Sequence, residues 1–350
     1  CSSNSAINLF IVYNSLMAYI TLNKNNFFNN LDIIAKKTKS KDKIALVLKD
    51  NAYGHGLLEV AQMAQEYGVK KAVVQTCEEA QKIENKFEYI LVLADFPTCK
   101  NEKIRYTIND ISAIQKFPKG TKVELKVDTG MHRNGVGIGE VAIALEKIQE
   151  QGLLLEAVFT HHRSADELTS EWFWQNEKFA QVKNHVKSLG YGEVRFHSCN
   201  SAALLRYVDF GEDMARVGIA AYGCLEMPSA YEANDFKPVL SVHATQISSR
   251  VLHKGEALGY GATFRAEEDC RVSNYDFGYG AGFLRTCSNN YTSPKGFKLA
   301  GRVSMDNSSF ISDAKEILVF DDARVIAKSA KTISYEVLTS LKADLKRVLV

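Results

Sequence analysis

The sequence has little proline, five in 350 residues, and it contains no low-complexity tract, so long disordered segments are not expected. It also lacks any run of eighteen apolar residues, which argues against a membrane-spanning helix. With 43 basic and 41 acidic residues the formal net charge is only +2, which gives no support to nucleic-acid binding. What remains is a chain with 46% hydrophobic residues, enough to build a large core.

The seven cysteines have neither a metal-binding spacing nor the spacing of a disulfide framework. None of them forms a CxxC pair, and the odd number is scattered along the whole chain. This usage is typical of free thiols in a reducing compartment, so we predict a cytoplasmic protein without a metal site. The cysteines are Cys1, Cys77, Cys99, Cys199, Cys224, Cys270 and Cys287.

The first seventeen residues differ in character from the rest of the chain. They lack the basic start of a signal peptide, and the chain begins with Cys1 rather than methionine. A regular polar–apolar pattern begins at Met17, which is a candidate natural start. We therefore predict that residues 1–17 are an N-terminal extension, either upstream of the natural start or added to the chain. A lipid-modified Cys1 is the alternative.

Short apolar runs alternate with helical patterns from Ile44 onward. Amphipathic helices are predicted after the first run (GLLEVAQMAQEYG) and after the fifth (EVAIALEKIQEQG), and both patterns close on a glycine. Strands that alternate with helices indicate a parallel sheet, and about eight such units favour a closed barrel over an open sheet. The fourth crossover has the weakest helical signal. The predicted strands are KIALVL, KAVVQT, YILVLA, IRYTIN, VELKVD, LLEAVFT, VRFHSC and MARVGIA.

The alternation stops near residue 236. The segments VLSVHATQISSRVL, RVSNYDFG, FKLAGRVSMDNSSFIS and KEILVF look like strands joined by short turns. SYEVLTSLKADL is the one clear late helix, with Ser334 as a candidate N-cap. We predict an α/β fold, with a (β/α)8 TIM-type barrel over residues 18–235 followed by a smaller, mainly β C-terminal domain over residues 236–350.

Lys49 ends the first predicted barrel strand, within IALVLKDNAYGHG. Functional groups of such barrels gather at the carboxyl ends of the strands. A lysine at this position can also simply extend into solvent, and from position alone that structural interpretation is the more common one. The following loop favours function, because Tyr53 offers a hydroxyl while Gly54 and Gly56 allow the backbone to approach an anion closely.

The motif KDNAYGHG resembles the cofactor-binding lysine motif of the alanine racemase family. Further motifs follow in the order found in that family, so the resemblance extends from about Met17 to the C-terminus. It implies that pyridoxal 5′-phosphate (PLP) is the cofactor and that Lys49 forms the Schiff base with it. It also implies that Tyr53 contacts the cofactor.

Four later motifs, VFTHHRSADE, HSCNSAA, ARVGIAAYG and TISYEV, resemble cofactor-binding segments of the family. They imply that His161 packs beside the cofactor ring, that Ser201 contacts the phosphate, and that Arg216 faces the pyridine nitrogen. Because arginine only donates hydrogen bonds, a nitrogen facing it stays unprotonated, which disfavours transamination. Outside a motif, such residues are more often structural, and Asn200 or Ser201 is by default a helix N-cap. The implied cofactor-binding residues are Lys49, Tyr53, His161, Asn200, Ser201, Arg216, Gly218, Ile219 and Tyr335.

The motifs KVDTGMHRNG, ALGYGATFRA, FGYGAGFLR and GRVSMDN resemble the remaining active-site segments of the family. They imply that Arg133, Tyr279 and the backbone N–H of Met305 bind the substrate. Tyr260 is implied to be the second catalytic acid/base, supplied by the partner subunit of a head-to-tail homodimer. Without the motifs, a surface arginine and a half-buried strand tyrosine are the more common interpretations.

Several positions depart from the pattern of the family. His132 stands where a small residue is usual, His162 where an apolar or aromatic residue is usual, and Gly280–Ala281 replaces the order Ala-Asp. The last change removes a hydrogen bond that the aspartate makes. Lys126 matches a lysine that is carbamylated in some members, and a surface or ion-paired amine is the equal alternative.

The resemblance implies a PLP-dependent enzyme that interconverts L-alanine and D-alanine with Lys49 and Tyr260 as its two bases, supplying D-alanine for peptidoglycan. A racemase of broader specificity, acting on serine or basic amino acids, is the alternative within the class. A non-catalytic PLP-binding barrel protein is a second alternative, although such proteins lack a β domain with a second base. A fold-related decarboxylase is disfavoured, because it usually has an acidic residue where Arg216 stands.

Overall fold

The structure, a computed structural model, describes residues 18–97, 101–231 and 235–350. Predictions that concern Cys1, Met17 and Cys99 lie outside these residues. The strands are β1 (Tyr19–Leu22), β2 (Ile44–Val47), β3 (Lys71–Val74), β4 (Tyr89–Val92), β5 (Ile104–Ile108), β6 (Lys122–Asp128), β7 (Val136–Gly137), β8 (Leu154–Phe159), β9 (Arg195–His197), β10 (Ala215–Val217), β11 (Leu240–Leu252), β12 (Ala257–Leu258), β13 (Phe264–Arg265), β14 (Cys270–Tyr275), β15 (Ser308–Ile311), β16 (Glu316–Phe320) and β17 (Lys346–Leu349). The helical segments are α1 (Lys24–Thr38), α2 (Lys49–Tyr53), α3 (Leu57–Tyr67), α4 (Cys77–Ile83), α5 (Val141–Glu150), α6 (Glu171–Ser188), α7 (Ser201–Arg206), α8 (Ala323–Ala330) and α9 (Ser334–Thr339).

Eight parallel strands form the barrel, in the order β10-β2-β3-β4-β5-β6-β8-β9. Seven fall within the predicted apolar runs and β6 begins one residue earlier, at Lys122, so the predicted fold class is confirmed. The two end strands have only three residues each, so they do not form a regular ladder with one another. Two backbone hydrogen bonds link them instead, from Arg216 N to Cys199 O at 2.9 Å and from Asp213 N to Phe196 O at 3.3 Å. The barrel is therefore nearly closed.

The crossovers follow the sequence signals closely. Helices α3 and α5 lie where the amphipathic patterns predicted them, and the chain turns at Gly68 after α3 with φ of 97°. The fourth crossover contains only a short 3₁₀ helix, Ile111–Lys116. Its start is capped by Asp110, whose Oδ1 accepts a hydrogen bond from Ser112 N at 2.7 Å. The weak helical signal of this crossover thus corresponds to a 3₁₀ helix of only one or two turns.

The second domain is built on a sheet in the order β15-β14-β11-β1-β17, with β16 paired to the other end of β11. The predicted barrel range, 18–235, includes residues 18–22, whereas β1 pairs antiparallel with β11 and parallel with β17. Its alternating pattern explains this placement, since Ile20 and Leu22 are fully buried beneath the sheet. The first strand of the chain therefore ties the start of the barrel to the C-terminal domain.

Three expectations for the second domain need correction. The prediction of one late helix missed α8, whose first turn is capped by Asp322 Oδ1 accepting from Arg324 N at 2.9 Å. Ser334 is not an N-cap, because Ile333 takes that position and the Ser334 hydroxyl donates to Cys224 O at 3.3 Å. Only the end of the third predicted strand forms β15, because the preceding residues turn to present the 301–307 loop.

Candidate active site

A cavity of about 500 Å³ opens at the carboxyl ends of the barrel strands. Ten of the thirteen predicted site residues line it, although they come from six separate segments of the chain. The cavity volume is in the range of ordinary small-molecule sites. These ten residues are Lys49, Tyr53, Arg133, His161, Asn200, Ser201, Arg216, Gly218, Ile219 and Tyr335.

The segment after β2 is a left-handed turn. Residues Asp50, Asn51, Ala52 and Tyr53 have φ of 54°, 54°, 53° and 51°, where L-residues rarely lie. Each such residue costs about 1–2 kcal/mol relative to the right-handed region, so the surroundings must hold the turn in place. A strained conformation of this kind is characteristic of functional sites.

Hydrogen bonds to neighbouring elements hold the turn. Asp50 N donates to Glu79 Oε1 at 2.7 Å, and Leu57 N donates to Asn51 Oδ1 at 2.8 Å. Lys49 lies at the start of the turn, with its Nζ 3.0 Å from Asp50 Oδ2 and a third of its side chain exposed. A lysine fixed at the strand end and still open to the cavity can react with a small molecule there.

Gly54 ends the left-handed turn at the contact between the two domains. Its φ is 73°, and a Cβ added there would lie 2.0 Å from Leu338 O. The carbonyl of Gly54 also accepts from Arg347 Nη2 at 2.8 Å. The Lys49 turn is therefore clamped by α9 and β17 of the second domain.

The substitution Gly54→Ala should lower the free energy of unfolding by at least about 3 kcal/mol, because backbone strain and a clash with Leu338 combine. Gly68→Ala is the matched control, since φ is 97° and no atom lies within 4 Å of the added Cβ. The control should cost only about 1 kcal/mol, from backbone strain alone. Denaturant titration measures both losses, and equal losses would show that Leu338 yields without cost.

The loops after β9 and β10 meet at one point of the cavity. Asn200 caps α7 through its Oδ1, which accepts from Ala203 N at 2.8 Å. The next residue, Ser201, turns its Oγ toward the other loop and accepts from Gly218 N at 3.2 Å and Ala220 N at 3.3 Å. Hydroxyl and backbone N–H groups are thus concentrated where an anionic group can be held.

Tyr53 approaches the same point from the left-handed turn. A Cβ on Gly218 would lie 3.0 Å from its phenol oxygen, so the ring sits closer to this backbone than a larger residue would allow without a shift of the ring. The Tyr335 ring lies 5.7 Å from the Tyr53 ring, centroid to centroid. Burial raises the pKa of both phenols well above the usual value near 10, with nearby negative charges contributing, so both remain protonated donors.

Arg216 is held rigidly in the barrel lumen. Its Nη2 donates to Thr160 O at 2.7 Å and to Ser198 O at 3.0 Å, and its Nη1 donates to the Nδ1 of His197. Burial lowers the pKa of the neighbouring His161 well below its usual range, and repulsion from Arg216 and Lys126 adds to this effect. His161 is therefore neutral beside a fixed guanidinium.

Lys126 points into the cavity from β6 and is only 9% exposed. Burial lowers its pKa to about 8, and repulsion from Arg133 and Arg216 contributes while Asp128 opposes the change. The usual value is about 10.4. Between about pH 8 and pH 10.4 the unfolded chain binds a proton that the folded chain does not, so the free energy of unfolding rises with pH there.

The substitution Lys126→Met should therefore stabilise the cofactor-free protein at about pH 7, because the wild type must keep a disfavoured charge in the folded state. The gain should shrink as the pH rises from about 8 to 10.4, where the wild-type amine is neutral in both states. Denaturant titration at both ends of this range measures it. Lys122→Met on the same strand is the control, because it removes an ion pair with Glu102 at 2.8 Å and should not stabilise.

The cavity is cationic. Lys49, Lys126, Arg133 and Arg216 all line it, and no carboxylate does so among the residues that the structure describes. A concave site with one sign of charge attracts ligands of the opposite sign. The arrangement suits a small molecule that carries a phosphate, a carboxylate or both.

Three predicted site residues lie outside the cavity of their own chain. Tyr260, Tyr279 and Met305 belong to the second domain and are 67%, 42% and 57% exposed. Backbone hydrogen bonds bring two of them together, since Tyr279 N donates to Ser304 O at 3.0 Å and Gly280 N donates to Met305 O at 2.7 Å. One chain alone does not bring these three residues to Lys49.

The structure shows where two of the residues that depart from the family pattern lie. His132 has a φ of 53°, the left-handed region in which a small residue is easiest to place, and its side chain is exposed. His162 is buried, with its Nε2 3.1 Å from Ser198 Oγ, and burial lowers its pKa to about 4. His162 therefore serves as a neutral core residue behind the cavity wall.

Two supporting carboxylates were missed by the sequence reasoning. Glu79 forms a capping box with Thr76 and also accepts a hydrogen bond from Asp50 N. The segment TCEE is the sequence pattern that indicates this capping box at a helix start. Glu212 accepts from Ser198 N at 2.6 Å and Cys199 N at 3.2 Å, which fixes the loop before Asn200. No local pattern marks Glu212, because its partners lie more than ten residues away.

This fold and this cationic cavity define a two-domain (β/α)8-barrel protein with a site suited to small anionic molecules. Two family models match the chain, the alanine racemase N-terminal domain over residues 22–226 and the alanine racemase C-terminal domain over residues 239–349. The chain belongs to the alanine racemase family. The predicted domain limits are 18–235 and 236–350, and three of these four ends lie within a few residues of the matched ranges. The limits themselves remain predictions.

Several named proteins are similar along nearly the whole chain. An alanine racemase of a Nitratiruptor species is 46% identical over 335 residues, which are 95% of this chain and 99% of that protein. An alanine racemase of Campylobacter concisus is 40% identical over 337 residues, 95% of this chain and 99% of that protein. The crystal structure of alanine racemase from Bacillus anthracis with bound L-Ala-P has a TM-score of 0.86 at 25% identity and covers 96% of both chains.

Within residues 18–97, 101–231 and 235–350, no helix has both the length and the apolar character needed to cross a membrane. Over the same ranges, no three His, Cys, Asp or Glu side chains are grouped so that they could bind a metal ion.

Proposed function

We propose that this protein is a PLP-dependent alanine racemase that acts as a head-to-tail homodimer. The observation that carries the proposal is the cavity itself, in which a lysine amine at a strand end faces three further cations and no described carboxylate. PLP carries a phosphate, and alanine carries a carboxylate, so both suit this charge. The second domain with Tyr260 disfavours a barrel that only carries the cofactor.

The donor set of the cavity fits PLP. The amine of Lys49 would bond to the cofactor aldehyde, and the hydroxyls of Tyr53 and Ser201 with the backbone of Gly218 would hold the phosphate. The close approach of Tyr53 to Gly218, where an added Cβ would lie 3.0 Å from the phenol oxygen, supports this fit because a hydroxyl and backbone meet at one point. The remaining phosphate and ring contacts would come from His161, Asn200, Ile219 and Tyr335.

PLP, when bound, supplies a conjugated ring that delocalises the electron pair left at Cα once its proton is removed. Arg216 can only donate, so it would leave the ring nitrogen unprotonated and limit the ring as an electron sink. Proton return to Cα is then favoured over return to another carbon. The buried, four-bonded guanidinium supports this role.

Inversion at Cα requires one acid/base group on each face. Lys49 Nζ would take or give the proton on one face, and Tyr260 of the partner subunit would do so on the other. Arg133 and the backbone N–H of Met305 of the partner subunit would hold the substrate carboxylate, with Tyr279 of the partner subunit beside them. The high exposure of these second-domain residues in one chain supports a role across a dimer interface.

The substitution Tyr260→Phe should separate the two faces. In deuterated solvent the variant should keep α-proton exchange from the enantiomer whose proton Lys49 removes, and should lose exchange from the other. Mass spectrometry of recovered L- and D-alanine measures both rates. Tyr279→Phe is the control and should slow both exchanges alike, whereas equal loss from both enantiomers in Tyr260→Phe would contradict the two-base assignment.

Chiral chromatography tests the activity directly. The purified protein with PLP should convert either enantiomer of alanine into the racemic mixture. Serine and lysine at the same concentration test the broader-specificity alternative, and conversion at similar rates would favour it. Protein that binds PLP yet leaves alanine, serine and lysine unchanged would contradict the proposal and favour the non-catalytic carrier.

The product would serve peptidoglycan synthesis as a source of D-alanine. Expression of the protein in a bacterial strain that requires added D-alanine tests this role. Growth without D-alanine is expected, and it should be lost with Lys49→Ala. Continued dependence on D-alanine, with active enzyme in the cell extract, would contradict the role.

A further inference from the structure

The lumen of the barrel below the cavity has two unlike sides. One side is apolar and contains Ala45, Val47, Val73, Leu91 and Met214. The other side carries charged residues on β5, β6, β8 and β9. They are Arg105, Glu124, Glu156, Arg195 and His197.

Glu124 is the centre of the charged side and is fully buried. Its Oε2 lies 2.9 Å from the Nε2 of His197, and its Oε1 accepts from Tyr89 at 2.5 Å and from Arg195 Nη2 at 3.0 Å. Tyr89 lies on β4 and His197 on β9, each two strands away from Glu124, so these contacts cross the lumen. Burial alone would raise the pKa of Glu124, but the hydrogen bonds from His197 and Tyr89 and the charge of Arg195 hold it below its usual value. The carboxylate is therefore ionised.

His197 connects this carboxylate to the active site. Arg216 Nη1 donates to its Nδ1, and because a guanidinium can only donate, Nδ1 must be the acceptor. The ring proton then lies on Nε2 and is donated to Glu124. Burial lowers the pKa of His197 despite the opposing effect of Glu124, and the charge of Arg216 adds to the lowering, so the ring is neutral with this single tautomer.

Arg195 does not need Glu124 as its partner. The same Nη2 of Arg195 lies 3.0 Å from Glu156 Oε2, and Glu156 also pairs with Arg105 Nε at 2.8 Å. The arginines of the lumen thus have a second carboxylate closer to solvent. Among these carboxylates, only Glu124 contacts Tyr89 and His197, and only the contact with His197 leads on to Arg216.

We propose that Glu124 is a positioning residue for the reaction, which acts through His197 on Arg216. Its carboxylate selects the Nε2–H tautomer of His197, so that Nδ1 stays free to accept from Arg216. With the other tautomer two donors would face each other, and the guanidinium would lose one of its four hydrogen bonds and be held less firmly where the cofactor ring would bind. The inference rests on the proposed function, because it concerns how that site is oriented.

The first test needs no cofactor. Long-range ¹⁵N NMR of histidine-labelled, cofactor-free protein reports which ring nitrogen of His197 carries the proton, and a His197→Asn sample assigns the signal. A proton on Nε2 with an unprotonated, hydrogen-bonded Nδ1 is expected. A proton on Nδ1, or on both nitrogens, would overturn the inference whether or not the protein racemises alanine.

The second test compares Glu124→Gln with Glu156→Gln. Both changes remove a carboxylate that contacts Arg195, but only the first removes the partner of His197. Glu124→Gln should lower kcat by at least about tenfold with KM changed less than about threefold, and should shift the absorbance of bound PLP. Glu156→Gln should leave both within about twofold. A merely structural role would lower the melting temperature of both variants. The two variants would then have similar kcat values and similar PLP absorbance.

A double-mutant cycle shows whether the effect passes through His197. In a His197→Asn background, Glu124→Gln should change kcat by less than about twofold, because its route to Arg216 is already cut. A full additional loss in that background would overturn the inference. If the wild type itself does not convert alanine, the proposed function fails while the NMR result still decides the tautomer. If the wild type is active and the two glutamine variants behave alike, the inference alone fails.

Discussion

The substitution Lys49→Ala should abolish racemisation, with kcat/KM reduced by at least about 10⁴-fold. The amine is proposed both to hold the cofactor and to exchange the proton on one face of Cα, so its removal eliminates two functions at once. The near-visible absorbance of PLP held covalently by the protein should disappear in the same variant. Chiral chromatography and an absorbance spectrum of the dialysed protein measure the two losses.

Lys126→Met is the matched control for Lys49→Ala, because both lysines line the same cavity and both substitutions remove an amine. Lys126 is buried on β6 rather than at the end of β2, so the absorbance of lysine-held PLP should survive its loss. If Lys49→Ala kept the covalent absorbance and Lys126→Met lost it, the reactive amine would be on the wrong strand and the proposal would fail.

Mixing two inactive variants should restore activity if the active site is shared between subunits. Lys49→Ala and Tyr260→Phe chains, each inactive alone, should form mixed dimers in which one site has both an intact lysine and an intact tyrosine. Random reassociation makes half of the dimers mixed, so about a quarter of the wild-type activity is expected. A racemase assay after denaturant-induced subunit exchange measures the recovery.

The control mixes Lys49→Ala with a chain that carries both substitutions, because no arrangement of those two chains gives an intact site. Native mass spectrometry should show mixed dimers in both experiments. Mixed dimers without any recovery in the first experiment would mean that lysine and tyrosine must come from the same chain. A shared site is expected because Tyr260 lies exposed and outside the cavity of its own chain, and that outcome would contradict it.

The barrel could be predicted because its signals are local. Each strand is a short apolar run, and most are followed by a helix whose apolar positions repeat at helical spacing, as in α3 and α5. The position of Lys49 at a strand end also follows from such a run. The second domain was predicted less completely, because β1 and β17 are short strands that join the sheet only through β1, which pairs with β11 on one side and β17 on the other.

The details of the site depend on contacts that no sequence window contains. The left-handed turn at 50–53 is held by Glu79, Asn51 and the second domain, so its unusual φ values reflect packing rather than propensity. Glu124 was placed in a predicted strand, yet its partners Tyr89 and His197 lie 35 and 73 residues away. A buried carboxylate needs such partners, but the sequence cannot say which residues supply them.

The sequence by itself determined the alternation of strands and helices, the lysine at the first strand end and the motifs of the family, because each is written in neighbouring residues. Only the tertiary structure decided that the first strand joins the second domain, that ten distant residues share one cationic cavity, and that an ionised glutamate lies beneath Arg216. These features arise when the barrel closes and buries charged groups, since burial makes each of them depend on a partner supplied by a different strand.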